Sequence, residues 1–449
     1  MKSKSVRIGS GAGYAGDRID PAIELAEKGN IQYICFECLA ERTIALAQLE
    51  KRDKPHRGYG QFLEARMEAM LPFCAERGLV MISNLGAANP SAALMKTLEI
   101  AERLDIRPLK IAAISGDDVL ESLAAVNRPV WETGQPVKEL VDSIISANAY
   151  LGVETILPAL SEQCNVIITG RVADPSLYLA PMIYELGWSV DSWTHLGAGT
   201  AIAHLLECAA QVTGGYFVDP GKKDVPDLAH IGFPLAEIYQ GGEGVITKVP
   251  GTGGAVSVPT CKEQLLYEVH DPSRYLTPDV MADFSQVTLT EIGVDRVMIR
   301  GASGSIRPDD LKVSLGIREG YIGEGEISYA GHGALKRARL SAEIVQERLK
   351  KRRISFRDMK TEIIGYNALL GSIADRVAVN PFEVRLRVAA KCDTMHDAEK
   401  VGEEVENLYL NGPAGPGGAR KYVRPVIGIV STSIPRDMVK TSMDIVELP

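Results

Sequence analysis

The stretch Asn165–Pro175, NVIITGRVADP, contains the pattern that decides the fold. A short, uniformly apolar run is followed by a turn with glycine and charged residues, and then by Asp174-Pro175. Aspartate is a good N-cap residue, and proline suits the first helical position because its missing amide would have no helical partner there. The stretch therefore predicts a strand, a turn and the start of a helix.

The same pattern recurs in the first half of the chain. Two more copies of the pattern are VRIGSG (6–11) before Asp20-Pro21 and LVMISN (79–84) before Asn89-Pro90. Two further apolar runs are YICFE (33–37) and LKIAAI (109–114). None of these runs alternates polar with apolar residues, which is typical of strands covered on both faces. We therefore predict an α/β fold with a doubly wound, mainly parallel sheet.

The pattern changes after about Gly214. VTLTEIGVDRVMIRG (287–301) predicts a hairpin that turns at 293–295, and FEVRLRVAAK (382–391) alternates apolar with charged residues, as a half-exposed strand does. Helices are expected over 334–351 and 398–409. We predict an N-terminal α/β domain over 1–214 and a second α/β domain, with mixed or antiparallel strands, over 215–449.

Composition excludes several classes of protein. The 449 residues carry 58 acidic and 49 basic side chains, so no basic surface is expected for a nucleic-acid partner. No apolar run is long enough for a membrane span, and no signal-peptide core follows the start. Seven scattered cysteines are typical of a reducing compartment. We expect a cytoplasmic protein.

Motifs for metal and nucleophile chemistry are weak. Cys35-Phe-Glu-Cys38 falls in a predicted strand, where residues three apart face opposite sides of the sheet. Neither H-E-x-x-H, nor G-x-S-x-G, nor a Walker A loop occurs. No metal site is predicted. The glycine-rich segments 249–254 and 411–420 suit either an anion-binding loop or a mobile surface loop.

The glycine turn after the first strand carries Gly11, Gly13 and Gly16 in a G-x-G-x-x-G pattern, with Glu37 following the next strand. That spacing imitates a dinucleotide fingerprint. The predicted helix begins only at Asp20, however, whereas the dinucleotide turn runs directly into its helix. Three interpretations stay open: a structural turn, a substrate or anion loop, and an NAD site.

Polar side chains follow several of the predicted strands, at the edge where open α/β sheets bind ligands. Crowded or buried carboxylates acquire shifted pKa values suited to acid and base catalysis, and a guanidinium holds a carboxylate or phosphate with two hydrogen bonds. The candidate catalytic residues are Glu37, Asp117 and Asp17. The candidate substrate-binding residues are Gly11, Gly13, Gly16, Arg18, Asn84, Arg171 and Asp174.

For some of these residues a purely structural role is the alternative. Asp174 is equally a helix cap, and one of the pair Asp117 and Asp118 is expected to cap the helix in SGDDVLESL. His270 and His332 lie next to turns and are either acid or base groups or structural.

The chain resembles the acyclic terpene utilisation (AtuA) family. The resemblance covers residues from about 5 to 435 and rests on eight strings in order: RIGSGAGYAGDRIDPAIELAEKG (7–29), FECLAERTIALAQL (36–49), ISNLGAANP (82–90), ITGRVADPSL (168–177), ECAAQVTGGYFVDPGKK (207–223), KEQLLYEVHDPSRYLTPDV (262–280), GYIGEGEISYAG (320–331) and NGPAGPGGARK (411–421).

The resemblance implies a role in the breakdown of acyclic terpenes through branched acyl-CoA intermediates, with coenzyme A entering as part of the substrate. Longer relatives carry an extra C-terminal ferredoxin-like domain, so a small ferredoxin-like partner subunit is expected here, together with a homo-oligomer. From the residues and the resemblance we predict a catabolic enzyme acting on a small carboxylate or acyl-CoA thioester. Its reaction would be proton abstraction with elimination or addition, as in a hydratase or carbon–carbon lyase. The alternatives are a non-catalytic ligand-binding or scaffold subunit and an NAD-linked oxidoreductase.

Overall fold

A computed structural model describes residues 4–123, 125–126, 128–376 and 380–449. Its strands, in chain order, are β1 (Ser5–Ala12), β2 (Tyr33–Phe36), β3 (Val80–Ser83), β4 (Leu109–Ser115), β5 (Ile144–Ala149), β6 (Val166–Thr169), β7 (Pro234–Tyr239), β8 (Gly244–Lys248), β9 (Tyr275–Leu276), β10 (Met281–Asp283), β11 (Thr288–Gly293), β12 (Arg296–Arg300), β13 (Ser303–Ser305), β14 (Asp310–Ala330), β15 (Asp358–Ile364), β16 (Glu383–Cys392), β17 (Pro416–Pro435) and β18 (Ser442–Leu448).

The α-helices, in chain order, are α1 (Asp20–Lys28), α2 (Glu41–Asp53), α3 (Leu63–Arg77), α4 (Pro90–Arg103), α5 (Leu120–Leu123), α6 (Leu157–Ser161), α7 (Asp174–Leu186), α8 (Trp193–Glu207), α9 (Val258–Leu266), α10 (Ala334–Lys351), α11 (Met395–Glu406) and α12 (Leu408–Asn411). Among the described residues, no helix combines the length and the apolar composition that crossing a membrane requires.

The chain forms two compact units. The first contains the residues up to Gly316 together with Ile429–Pro449, and the second is Ile317–Gly428. The chain leaves the first unit within β14 and returns to it within β17. The predicted boundary at 214–215 lies inside the first unit, because β7 pairs with β1 and β8 pairs with β7 in one sheet.

The first unit is built on a ten-stranded sheet of order β11-β12-β8-β7-β1-β2-β3-β6-β4-β18. Its centre, β1-β2-β3-β6-β4, is parallel throughout. Antiparallel strands continue the sheet on both sides, with β7 next to β1 and β18 next to β4. The predicted α/β class is confirmed, and the uniformly apolar runs are the parallel strands.

Helices cover both faces of this sheet. On one face α1, α3 and α4 bury Leu25, Met67 and Leu94 in one apolar core. On the other, α7 and α8 bury Leu177 and Leu205 in a second core. Each large aliphatic side chain contributes about 1.5–3 kcal/mol on burial, which is why all central strands are apolar on both sides.

The three predicted helix starts differ in their capping. Asn89 is the N-cap of α4, and its Oδ1 accepts a hydrogen bond from the amide of Ala92 at 3.3 Å, as predicted. The N-cap prediction is wrong for Asp20 and Asp174, since each is the first residue inside its helix and caps nothing with its side chain. Their carboxylates pair with Arg18 and Arg171 instead.

The second unit has the order β14-α10-β15-β16-α11-β17 along the chain, and its sheet has the order β15-β16-β14-β17. This β-α-β-β-α-β arrangement is the split βαβ topology of ferredoxin-like folds. The predicted helix over 334–351 is confirmed as α10, and that over 398–409 corresponds to α11 and α12. The predicted hairpin at 287–301 is β11 and β12, which belong to the sheet of the first unit.

Strand β16 of this second unit shows the predicted alternation. Val384, Leu386 and Val388 are buried against α10 and α11. Arg385 and Arg387 alternate with them and form ion pairs with glutamates of β14. The alternation therefore separates an apolar face, covered by helices, from a charged face.

Candidate functional site

A cavity of about 950 Å³ opens at the carboxyl ends of the central parallel strands of the first unit. Its walls come from the turn after β1, the residues after β2 and β6, the end of α8 and the segments 267–278 and 308–312. This is the sheet edge at which open α/β folds bind ligands. The cavity is of the size that holds small metabolites.

Arg171, in the turn between β6 and α7, is the central cation of the cavity floor. Its side chain is 2% exposed, and its guanidinium carbon lies 4.0 Å from the centre of the Tyr150 ring. One amino group donates to the carbonyl of Leu39, and the other pairs with Asp174 Oδ1 at 3.1 Å. Its Nε is buried and has no hydrogen-bond acceptor within the described part of the chain.

Glu37 follows β2 and is 8% exposed. Its Oε1 accepts hydrogen bonds from the amide of Leu39 at 2.8 Å and from Nδ2 of Asn84 at 3.0 Å. Burial raises the pKa of Glu37, although the charge of Arg171 and these hydrogen bonds act in the opposite direction. Asn84 does not line the cavity, and its hydrogen bond to Oε1 fixes the orientation of the Glu37 side chain.

Asp174 lies at the start of α7 and on the cavity wall. Burial holds the pKa of its carboxyl well above the usual range, against the opposing effect of Arg171. The charges of Glu37, Glu207 and Glu41 raise it further, so the four carboxyl groups are close enough to repel one another. Asp174 therefore holds its proton more tightly than an ordinary aspartate does.

Glu41 has the opposite behaviour in the same cavity. Burial acts to raise the pKa of Glu41. Three groups outweigh burial and lower this pKa to about 2: the charge of Arg171, the Tyr150 hydroxyl, which lies 2.5 Å from Oε1, and the charge of Lys312. Lys312 Nζ lies 3.4 Å from the same oxygen. Glu41 is therefore ionised at neutral pH.

The glycine turn contributes to the cavity through Gly13 and Asp17. Asp17 Oδ2 accepts a hydrogen bond from the amide of Gly13 at 2.9 Å, which fixes the turn. A Cβ at Gly13 would lie 2.5 Å from the backbone of Cys208, so this close approach requires glycine. Gly11 lies inside β1 against the ring of Phe36, and neither it nor Gly16 lines the cavity.

Helix α1 begins at Asp20, as predicted, and residues 17–19 separate it from the last glycine of the turn. The amides at the helix start are therefore not part of the glycine turn. A dinucleotide site needs that continuity so that the helix N-terminus meets the pyrophosphate. The geometry does not favour the NAD interpretation.

The structure places Asp117 behind the cavity and not on its wall. Its Oδ2 accepts hydrogen bonds from Nδ2 of Asn148 at 2.8 Å and from the amide of Arg171 at 3.0 Å. Burial raises the pKa of Asp117 to about 6, although both hydrogen bonds lower it. Asp117 fixes the backbone of the turn that carries Arg171.

Arg18 also lies away from the cavity. Its guanidinium is half-exposed, pairs with Asp20 and donates to the carbonyl of Ala229 at 3.1 Å. His270 lines the rim of the cavity, as does Arg274. The glycine-rich segment 249–254 does not line it.

Four residues that line the cavity were not predicted from the sequence: Glu41, Tyr150, Glu207 and Lys312. A usable signal existed for Glu207, since it and His204 lie three residues apart in the apolar helix WTHLGAGTAIAHLLE. Among the described residues, no group of three or more His, Cys, Asp and Glu side chains is arranged to hold a metal ion.

The titratable groups gathered at this site have pKa values shifted in opposite directions. Burial raises the pKa values of Glu37 and Asp174, whereas the pKa of Glu41 is lowered so that Glu41 is ionised. Titratable groups whose surroundings push their pKa values apart in one cavity are the arrangement that acid and base catalysis requires.

A comparison with protein families identifies the family of the chain. The family model described as acyclic terpene utilisation family protein AtuA matches residues 6–445, nearly the whole chain. No curated protein and no solved structure matches the chain. The chain belongs to the acyclic terpene utilisation AtuA family.

Proposed function

We propose that the chain is a catabolic enzyme that acts on a small carboxylate or branched acyl-CoA thioester by proton abstraction with elimination or addition. One observation carries the proposal: the cavity holds two carboxyl groups with raised pKa values, Glu37 and Asp174, beside the ionised Glu41. Membership of the acyclic terpene utilisation family supports branched acyl compounds as the class to examine.

Glu37 and Asp174 would act as general acids in this reaction. A carboxyl group that is protonated near neutral pH can give its proton to a leaving hydroxyl or to a developing enolate oxygen. Asn84 and the amide of Leu39 hold Oε1 of Glu37 in one position, so the other oxygen is free to face a ligand. Arg171 supplies a fixed positive charge beside the developing negative charge.

Cations at the cavity rim would bind the anionic end of the substrate. Lys312 is one-third exposed and lies over the Tyr150 ring, with Nζ 4.7 Å from its centre. Arg274 is exposed on the same rim. A carboxylate, or the phosphates of a thioester's coenzyme A portion, fits such a rim through charge-assisted hydrogen bonds.

The test is turnover of a panel of short branched 3-hydroxyacyl and 2-enoyl thioesters and the corresponding free acids. We expect wild-type protein to interconvert at least one pair, and Glu37→Gln and Asp174→Asn each to lower kcat by about a hundredfold or more, as loss of a general acid does. Glu185→Gln is the matched control, because Glu185 accepts a hydrogen bond from Tyr33 and does not line the cavity. Calorimetric binding of a panel member without turnover would instead favour a ligand-binding subunit.

A further inference from the structure

The loop that joins β15 to β16 is unusual in its length and its composition. It runs from residue 365 to residue 382, whereas the connection between two paired antiparallel strands usually has about 2–5 residues. Its sequence, GYNALLGSIADRVAVNPF, is rich in apolar residues, although surface loops are usually polar. The loop therefore does more than connect two strands.

Hydrogen bonds hold the first part of the loop in a fixed shape. Tyr366 packs on the apolar core of the second unit, and its hydroxyl donates to Asp375 Oδ1 at 2.8 Å. Arg339 of α10 donates to the same oxygen at 3.0 Å. The side chain of Asn367 accepts the amide of Ile363 at 2.7 Å. The loop is therefore anchored both to α10 and to the strand before it.

The anchored loop presents apolar side chains to solvent. Leu369 is 99% exposed, Leu370 is 56% exposed and Ile373 is 55% exposed. At the two ends of the loop, Ile364 is 39% exposed and Phe382 is 76% exposed. We call these five residues the loop patch. Ile364 ends β15 and Phe382 precedes β16, so the loop patch lies at one end of the sheet of the second unit.

The area of the loop patch is large enough for a protein interface. From their exposed fractions the five residues present roughly 600 Å² of mainly apolar surface, at the upper end of the range of about 300–600 Å² for the largest apolar patch on an ordinary monomer. A stable interface buries about 800 Å² on each partner. The loop patch therefore supplies most of one side of such an interface, and its polar neighbours can supply the remainder.

The charges beside the loop patch suit contact with a second copy of the same patch. One exposed basic residue, Arg376, and one exposed acidic residue, Glu383, lie next to it along the chain. In a two-fold interface each position of a surface meets a different position of the same surface, so Arg376 of one copy can face Glu383 of the other. A border of one sign alone would repel its own copy. The border therefore favours self-association.

We propose that the loop patch is the interface through which two copies of this chain associate about a two-fold axis. Burial of Leu369, Leu370 and Ile373 against the second copy removes their apolar surface from water, which drives the association. Leu369 is the most exposed of the three and is the anchor of the contact. The assignment is independent of the reaction at the cavity, because every residue of the loop patch belongs to the second unit.

Sedimentation velocity of the full chain over a wide range of protein concentrations tests the assignment. We expect wild-type protein to sediment with twice the mass of one chain and Leu369→Asp to sediment as a single chain. A dimer of the variant would bury two aspartates, so its dissociation constant should rise by about a hundredfold or more. Because Leu369 is 99% exposed, the circular dichroism spectrum of the variant should match that of wild type.

Two further variants locate the contact on the chain. Ile373→Asp, on the same turn of the loop, should also dissociate the dimer. Leu410→Asp is the matched control, because Leu410 is 91% exposed and lies in α12, outside the loop patch. The control variant should sediment as wild type does.

Three results would overturn the proposal. Wild-type protein that sediments as a single chain at every concentration refutes it, and the loop patch would then have to bind a different protein. A dimer that Leu369→Asp and Ile373→Asp leave as tight as wild type refutes it, because the contact would lie elsewhere on the chain. Equal dissociation by Leu410→Asp also refutes it, because the effect of aspartate would not be specific to the loop patch.

Discussion

Replacing Asp117 by asparagine should change how the stability of the protein depends on pH. The pKa of Asp117 is raised from 3.8 to about 6 because its carboxyl is buried at 4% exposure. A difference of about two between folded and unfolded pKa values corresponds to about 3 kcal/mol. Because the folded pKa is the higher one, this stability is present below pH 4 and is lost as the pH rises through 6.

The asparagine variant cannot ionise at this position, so it does not lose this stability as the pH rises. One oxygen, Oδ2, accepts both hydrogen bonds to Asp117, so the amide oxygen of asparagine can replace it. We therefore expect Asp117→Asn to gain about 2 kcal/mol relative to wild type between pH 4.5 and pH 7.5, because about one third of the total change already lies below pH 4.5.

Urea unfolding followed by far-ultraviolet circular dichroism at both pH values measures this difference, and subtracting the variant from wild type cancels the other titrating groups. Asp118→Asn is the control, because Asp118 is the next residue and is exposed. If the difference between wild type and Asp117→Asn stays constant from pH 4.5 to pH 7.5, the burial argument for Asp117 is wrong.

Three other substitutions test the floor of the cavity. Glu41→Gln should lower the free energy of unfolding in urea by about 1–2 kcal/mol at pH 7. This is less than the full pKa effect, because the side chain is 36% exposed. The difference from wild type should disappear as the pH falls from about 4.5 towards 2. Gly13→Ala should destabilise by about 1–3 kcal/mol in thermal melting, because its Cβ would meet the backbone of Cys208, whereas Gly16→Ala meets the movable ring of Tyr14 and should cost less. Arg171→Met should lose about 3–5 kcal/mol of stability in urea unfolding at pH 7, because Asp174 then loses its ion-pair partner.

Local patterns predicted much of the first unit. The apolar runs became parallel strands, and the start of α4 at Asn89-Pro90 was correct because capping depends on residues next to one another. The order of the strands was not predictable in the same way. Strand β8 is buried throughout, like the central strands, and β11 is mostly exposed, yet both extend the same sheet, since pairing at a sheet edge is decided by distant parts of the chain. The second unit is an insertion within the first, and no linker composition marks it.

In the candidate site, too, some positions were predictable from the sequence and others were not. Glu37, Arg171 and Asp174 were predictable because each follows a strand at the ligand-binding edge. Its spacing from His204 marked Glu207 as unusual, but its place at this edge was not predictable, because it comes from a helix end that only tertiary packing brings there. Asp117 also follows a strand, but its hydrogen bond to the amide of Arg171 turns its carboxylate into the protein. A position after a strand therefore predicts closeness to the site and not the direction of the side chain.

Proton transfer between the cavity floor and a bound acid or thioester is tested most directly by deuterium uptake. The panel compounds are incubated with wild-type protein in deuterium oxide, and mass spectrometry measures deuterium at the carbon next to the carbonyl. We predict uptake into at least one branched compound by wild type and by Glu185→Gln, and little uptake by a variant combining Glu37→Gln with Asp174→Asn. Equal uptake by that double variant and by wild type, or no uptake into any compound by wild type, would contradict the assignment of this cavity as a proton-transfer site.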